Sequence, residues 1–445
     1  MECCRKRSTV LCGSLFGRLV RMGFPALAGI ALSATVAQAA PFAYVPNTSD
    51  DTVSVIDTAS NTVIATVPVG DSPLGVAVTP DGAFVYVANE TLNQPSGTVS
   101  VIATATNTVI ATVPVGANPG GVAVTPDGAF IYVANRFSFT VSVIATATNT
   151  VIATVAVGIQ PVGVAVTPDG ASVYVVNHGL LGPQVSNVSV IATATNTVIA
   201  TVPVGFTPTG VAVTPDSAFV YVANANLTQT VSVIATATNT VTATVPVGDG
   251  PYGVAITPDG AFVYVTNRND NNVSVIDTAT NTVVATVAVG LTPFGVAVTP
   301  DGAFVYVANF DGDTVSVIDT ASNTVITTVP VGNFPVALGQ FIGPLPAVTI
   351  AEVIALFDQA VADGTLVGQG PGNSAQYRLN ALRNMLIAAS DLLDQGDVDA
   401  ACRQLRDVAN RTDGAFAPPD FVQGPAAPTL FDAVTAARKS LGCVD

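Results

Sequence analysis

Side chains able to do chemistry are scarce in this chain. His178 is the one histidine among 445 residues, and Trp is absent. Between residues 40 and 343 the one glutamate is Glu90, so paired glutamates for acid–base work are missing. No G-x-S-x-G elbow and no Cys–His pairing for nucleophilic catalysis occurs. One His and five Cys cannot assemble a His-rich zinc, copper or haem site. Two oxygen-rich stretches, Asp311-Gly312-Asp313 and Asn269-Asp270-Asn271-Asn272, are weak Ca²⁺ candidates. They lack the spaced Glu of an EF-hand, and Asx turns explain them better. Gly368-Gln369-Gly370-Pro371-Gly372 lacks the Lys-Ser/Thr of a phosphate loop and reads as a linker. No catalytic residue, metal or cofactor is expected, and His178 reads as a solvated loop residue.

Composition narrows the class further. Apolar residues make up 49% and charged residues 10%, with a mean hydropathy of +0.56. Those values resemble a membrane protein, but 30 Pro and 38 Gly would interrupt spanning helices. Residues 1–39 read as a signal peptide. Arg5, Lys6, Arg7, Arg18 and Arg21 precede an apolar Phe24-to-Val36 stretch and an Ala37-Gln38-Ala39 cleavage signal. Removing those five basic residues and Glu2 takes the net charge from −16 to −20, which disfavours nucleic acid as a partner. The mature chain then keeps Cys402 and Cys443, which in an exported protein pair most simply as one disulfide. The expected location is secreted, periplasmic or at the cell surface, with no transmembrane segment in the mature chain.

Internal repetition dominates residues 41–343. Tyr recurs at 44, 86, 132, 174, 221, 264 and 306. Each unit holds four short runs rich in Val, Ile, Thr and Tyr, separated by turns such as Thr79-Pro80-Asp81-Gly82. Asp81, Asp127, Asp169, Asp216, Asp259 and Asp301 recur as turn residues. In Ala83-Phe84-Val85-Tyr86-Val87-Ala88 both strand faces are mainly apolar, so both must be covered. Repeats of about 42 residues with four strands describe a seven-bladed all-β propeller. The first unit starts at its second strand, and Pro335-Val336-Ala337-Leu338-Gly339 has the pattern of the missing first strand. Circular closure is expected to leave no free edge of consequence.

The motif YVAN at 86, 132, 221 and 306, with YVTN at 264, resembles the YVTN family of propeller repeats. Units one and four depart, with Tyr44-Val45-Pro46-Asn47 and Tyr174-Val175-Val176-Asn177. The resemblance covers about two thirds of the chain. It implies an exported or surface-layer protein similar in fold to lactonase-like and lyase-like propellers.

Composition shifts after Pro346. Domains are expected at 40–343, the propeller, and 344–445, a small helical bundle. Thr349-x-x-Glu352 reads as a capping box for a helix to about Ala362. A second helix is predicted over 375–393, a third capped by Asp397, and a fourth starting near Thr429. A Cys402–Cys443 bridge would stabilise this bundle by about 4 kcal/mol in the chain-entropy model. Ala400-Ala401-Cys402-Arg403-Gln404-Leu405 and Leu441-Gly442-Cys443 resemble the FIMAH type of C-terminal helical domain.

Near-identity of the repeats makes their differences informative. The loop between strands 2 and 3 and the link between blades share one face, and all insertions fall in that loop. The links carry Leu74, Ile159, Val162, Phe206, Tyr252, Leu291, Phe294 and Phe334, which are the candidate ligand-binding residues. The resulting expectation is a binding or interaction module for a protein or carbohydrate of the cell envelope or extracellular space. The alternatives are a lactonase- or lyase-like enzyme and a structural surface-layer component.

Overall fold

Each repeat folds as its runs dictate. In blade 2 the inner strand Pro73–Val78 pairs antiparallel with Phe84–Asn89, then Thr98–Ala103, then the outer Thr108–Pro114. Five further blades repeat this order over 119–156, 161–203, 208–246, 251–288 and 293–330. The computed structural model describes residues 41–90, 96–179, 186–225, 228–344, 350–370, 374–395, 397–412, 421–423, 425–441 and 443. The expected signal peptide and the capping residue Thr349 lie outside these residues.

Blade 1 contributes Phe42–Asn47, Thr52–Asp57 and Thr62–Pro68, and the C-terminal end of the repeat region supplies its inner edge. Tyr44 N donates to Phe341 O at 2.8 Å, Val336 N to Pro46 O at 3.1 Å, and Gly343 N to Phe42 O at 3.0 Å. The ring therefore closes circularly, as expected. The closing segment pairs only through isolated bridges, because Ala337 and Gly339 have φ of 54° and 122° and interrupt a regular strand.

Two buried polar contacts recur around the ring. The Asn that ends each second strand is fully buried, and its Nδ2 donates to a Ser Oγ on the third strand, as in Asn89 to Ser100 at 2.9 Å. The repeat Tyr crosses to the next blade. Tyr86 Oη donates to Asn149 Oδ1 at 2.7 Å, Tyr221 to Asn281 at 2.9 Å and Tyr306 to Asn61 at 2.6 Å, the last joining blade 7 to blade 1. Burial pushes the Tyr86 phenol up to about 12. At the seam between blades 1 and 2, Tyr44 Oη and Asn107 Oδ1 are both buried without a partner.

Inner strands of neighbouring blades approach one another very closely. A Cβ placed on Gly75, Gly121, Gly163, Gly210, Gly253 or Gly295 would collide with a backbone carbonyl of the next blade. Only glycine fits such an approach. The strand register also shifts across each Pro-x-Gly, for example between Pro73 and Val76, so each inner strand starts with a bulge.

The outer strands correct one expectation. Their burial alternates poorly, and Ile64, Ile110 and Ile199 are 50%, 53% and 58% exposed. Each outer strand pairs on one side only, and strand twist carries it beyond the cover of the neighbouring blade. Hydrophobicity there is therefore not explained by blade-to-blade burial, and seven outer edges remain unpaired by neighbouring strands.

The C-terminal segment holds α1 (Ile350–Ala362), α2 (Ser374–Asp394), α3 (Val398–Ala409) and α4 (Ala427–Ser440) around Val353, Phe357, Leu386, Leu405 and Val434. Asp397 caps α3 by accepting from Ala400 N at 3.0 Å. Cys402 and Cys443 form a disulfide.

The tyrosine contacts make a paired prediction. Tyr221→Phe strands Asn281 Oδ1 and is expected to cost about 1–3 kcal/mol. Tyr44→Phe removes a hydroxyl that has no partner and is expected to be neutral or stabilising. Denaturant unfolding of the two variants checks this, and equal losses would refute the seam-specific account.

Candidate functional site

Three rings of variable residues surround one mouth of the propeller. The first occupies the x of each Pro-x-Gly bulge: Leu74, Gly120, Val162, Thr209, Tyr252, Phe294 and, in the closing segment, Val336. Bulges re-aim side chains next to a site, and here Val162 and Thr209 line the central cavity. That cavity is about 310 Å³, and of its lining residues only Thr209 and Gln340 carry polar side chains.

The second ring directly follows each buried Asn: Thr48, Glu90, Arg136, His178, Ala225, Arg268 and Phe310, all half-buried. The third precedes each inner-strand Pro. There Ser72, Asn118, Gln160, Thr207, Thr292 and Phe334 have φ between 46° and 55°, with Gly250 at 66°. This left-handed geometry costs a non-glycine residue about 1 kcal/mol or more. It aims the carbonyl at the second ring: Arg136 N donates to Asn118 O at 2.9 Å and His178 N to Gln160 O at 3.0 Å. The two rings are thus locked together by backbone.

Charged groups from separate blades meet across this mouth. His178 lies below its ordinary value of 6.5, chiefly because it is buried; the Gly179 carbonyl opposes this, and Arg136 and Arg268 add to it. Burial raises Tyr252, Arg136 and Arg268 oppose that, and Glu90 reinforces it. Blades 2, 3, 4 and 6 thus each place a titratable or charged side chain in the ring that follows the buried Asn. Arg268 lies over the Tyr252 ring at 5.7 Å. The Asn118 amide donates to Glu90 Oε1. Among the described residues no salt bridge engages Arg136 or Arg268, and Arg136 Nε is buried without a partner.

An aromatic series runs along the same mouth. Ring centroids are 4.5 Å apart for Tyr252–Phe294, 4.9 Å for Phe294–Phe310 and 4.7 Å for the stacked Phe310–Phe334.

The sequence candidates divide accordingly. Tyr252, Phe294 and Phe334 join this series, and Leu74 and Val162 sit in the bulge ring. Ile159, Phe206 and Leu291 occupy an outer position of the links, Leu291 being 56% exposed. Glu90, Arg136, His178, Arg268 and Phe310 were not among the candidates. One expectation is corrected: His178 is half-buried rather than a solvated loop residue. The available signal was columnar, since the residue after each buried Asn changes type in almost every repeat. Parts of the two long loops, 91–95 and 180–185, lie outside the described residues.

The recurring aspartates sit on the opposite face. Thr125 Oγ1 and Ala129 N donate to Asp127, holding its carboxyl below the usual range, and Asp169, Asp216 and Asp259 repeat this. The oxygen-rich loops are likewise occupied by protein donors. Asp313 accepts from Phe334 N and Asn271 from Thr292 N.

The family model described as "Lactonase, 7-bladed beta-propeller" matches residues 32–154 and 226–329, about half of the chain. The chain belongs to this lactonase-type propeller family. Among solved structures, Kuenenia stuttgartiensis hydrazine synthase is similar with a TM-score of 0.58 and 27% identity, covering 62% of this chain and 92% of that one. A functionally unknown protein from Desulfotomaculum acetoxidans DSM 771 gives 0.57 at 19% identity, covering 66% and 99%. A putative 6-phosphogluconolactonase from Bacteroides uniformis ATCC 8492 gives 0.56 at 18%, covering 66% and 98%. These last two share the fold. A segment of 52 residues is 46% identical to the uncharacterized protein YwhL of Bacillus subtilis (strain 168). It covers 12% of this chain, which thus spans only 11% of that relative.

His178 being the sole histidine, its ring protons give a single titration curve in an NMR spectrum. Its midpoint is expected below 6.5, and Arg136→Leu and Arg268→Leu should each raise it. The linked stability is fully present above pH 6.5 and lost as pH falls toward the lowered folded value, where the unfolded chain binds the proton first. A midpoint at or above 6.5 would place the imidazole in solvent.

Proposed function

We propose that this propeller binds a small anion at the mouth carrying the blade links and the loops between strands 2 and 3. One observation carries the reading: Arg136 and Arg268 hold equivalent places in the ring after the buried Asn, Arg136 Nε is buried without a partner, and no carboxylate is ion-paired to either among the described residues. A guanidinium offers a planar fork of donors, so two of them at one mouth suit an anionic ligand that takes bidentate hydrogen bonds. The surrounding propeller is otherwise acidic, so the mouth is the place where a negative solute is welcomed.

A second reading, lactone or ester hydrolysis, is favoured by His178. A histidine kept neutral by burial and two cations is suited to take a proton from water attacking a carbonyl. The guanidiniums would stabilise the oxyanion that develops, and ring opening would yield a hydroxy acid. Membership in a family described as lactonase, and likeness to a putative 6-phosphogluconolactonase, support this reading. Export is part of the same proposal and rests on the N-terminal pattern and the disulfide. Kinship with YVTN repeats and with the FIMAH type, and the boundaries 40–343 and 344–445, rest on the residues and composition already quoted.

Calorimetric titration with phosphate, gluconate and 6-phosphogluconate tests the anion. Binding is expected, with at least about a tenfold loss in Arg136→Leu and Arg268→Leu. No binding of any of them at millimolar concentration would refute the proposal. A pH-stat assay on δ-gluconolactone separates the readings: turnover lost in His178→Asn supports an enzyme, and its absence in the wild type leaves a binding module.

A further inference from the structure

The mouth is not equivalent all round. Cationic groups come from blades 3 and 6, while Tyr252, Phe294, Phe310 and Phe334 form a continuous aromatic wall across blades 6, 7 and 1. The wall begins where the charge sits, because Arg268 covers the Tyr252 ring. Its far end, Phe334, is 40% exposed. The same ring positions carry small side chains on other blades, Gly120 on blade 3 and Thr209 and Ala225 on blade 5. In a scaffold whose other positions repeat nearly unchanged, four rings on adjacent blades are a local departure from the pattern.

We infer that the ligand is an aryl acid, an anion whose body is a flat aromatic ring. This rests on the anion reading above and adds the chemistry of the body. The acid group reaches the guanidiniums, and the ring lies against the aromatic wall. Aromatic pairs prefer the offset and tilted arrangements that this wall already adopts. A polyol body would fare worse there, because its hydroxyls would lose water without finding partners. The threonine hydroxyls beside the wall are already engaged: Thr292 donates to Asp311 at 2.5 Å and Thr48 to Pro73 O at 2.9 Å. A packing role alone would have the four rings seal the junctions of blades 6, 7 and 1.

The probes are 1-naphthylacetate, acetate and gluconate, titrated calorimetrically against the full chain. Naphthylacetate is expected to bind at least about tenfold more tightly than either of the others. Phe334→Ser alters an exposed ring and should remove several-fold of that preference without changing acetate binding. Phe310→Trp keeps an aromatic face and should retain the preference; as the chain's only Trp, its fluorescence should also be quenched by the probe. If none of the anions binds, the anion reading fails and this inference with it. If the anions bind with equal affinity, or gluconate binds best, the aryl inference alone is overturned. A Phe334→Ser variant that melts lower yet keeps the full preference would also overturn it, leaving a packing seam.

Discussion

The close approach of the inner strands governs the rest of this molecule. At six Pro-x-Gly bulges the backbone of one blade comes so near the next that no Cβ fits. That contact fixes how far each strand stands from the axis, and so the width of the central cavity. It also forces the bulge that turns the x side chain toward the mouth. At the closing segment the matching residue is Ala337, with φ of 54°, and regular pairing gives way to single bridges. Where glycine is missing, the strand is missing as well. The architecture and the first ring of the site therefore have one cause.

Much of the fold was legible because repetition amplifies weak signals. Any one Val-rich run could be a buried helix segment or a strand. Seven copies with Tyr at nearly constant spacing, and TPDG turns between runs, leave a propeller as the consistent solution. The roles of the repeated residues were less legible. Tyr looked like core, and it is, but it also reaches the Asn at the 3–4 turn of the next blade. A contact about 60 residues away in sequence leaves no local pattern to read. The exposure of the outer-strand isoleucines is hidden from the sequence for a related reason. Their sequence is as apolar as that of the buried strands, and only position in the blade separates them.

The site was half legible. Variation along the links was visible, and Tyr252, Phe294 and Phe334 were found that way. Glu90, Arg136, His178 and Arg268 are hidden because each is ordinary by type and within its own loop. A lone histidine at the start of an insertion reads as solvated, and a lone arginine as solubilising. Their meaning is columnar: all follow the buried Asn whose amide holds the third strand. That Asn ends the strand at a fixed depth, so whatever follows it is delivered to the mouth. Convergence thus comes from equivalent positions on different blades, which no linear spacing reveals.

A repeat scaffold separates stability from specificity. The contacts that hold the blades use the repeated Tyr, Asn, Ser, Gly and Thr-Pro-Asp-Gly residues, and these tolerate little change. The residues of the three rings are held by backbone hydrogen bonds, such as Arg136 N to Asn118 O, that any side chain other than proline can make. Substitution there leaves the carrier intact. Seven equivalent positions can then hold two arginines, an imidazole and a series of aromatic rings with little penalty to the fold. The acidic body sharpens this division. With no lysine in the repeats, the two guanidiniums at the mouth have no competing cation elsewhere on the propeller. If the mouth binds an anion, as proposed, repulsion over most of this acidic surface and attraction at one end of the channel would make the scarcity of base the source of its selectivity.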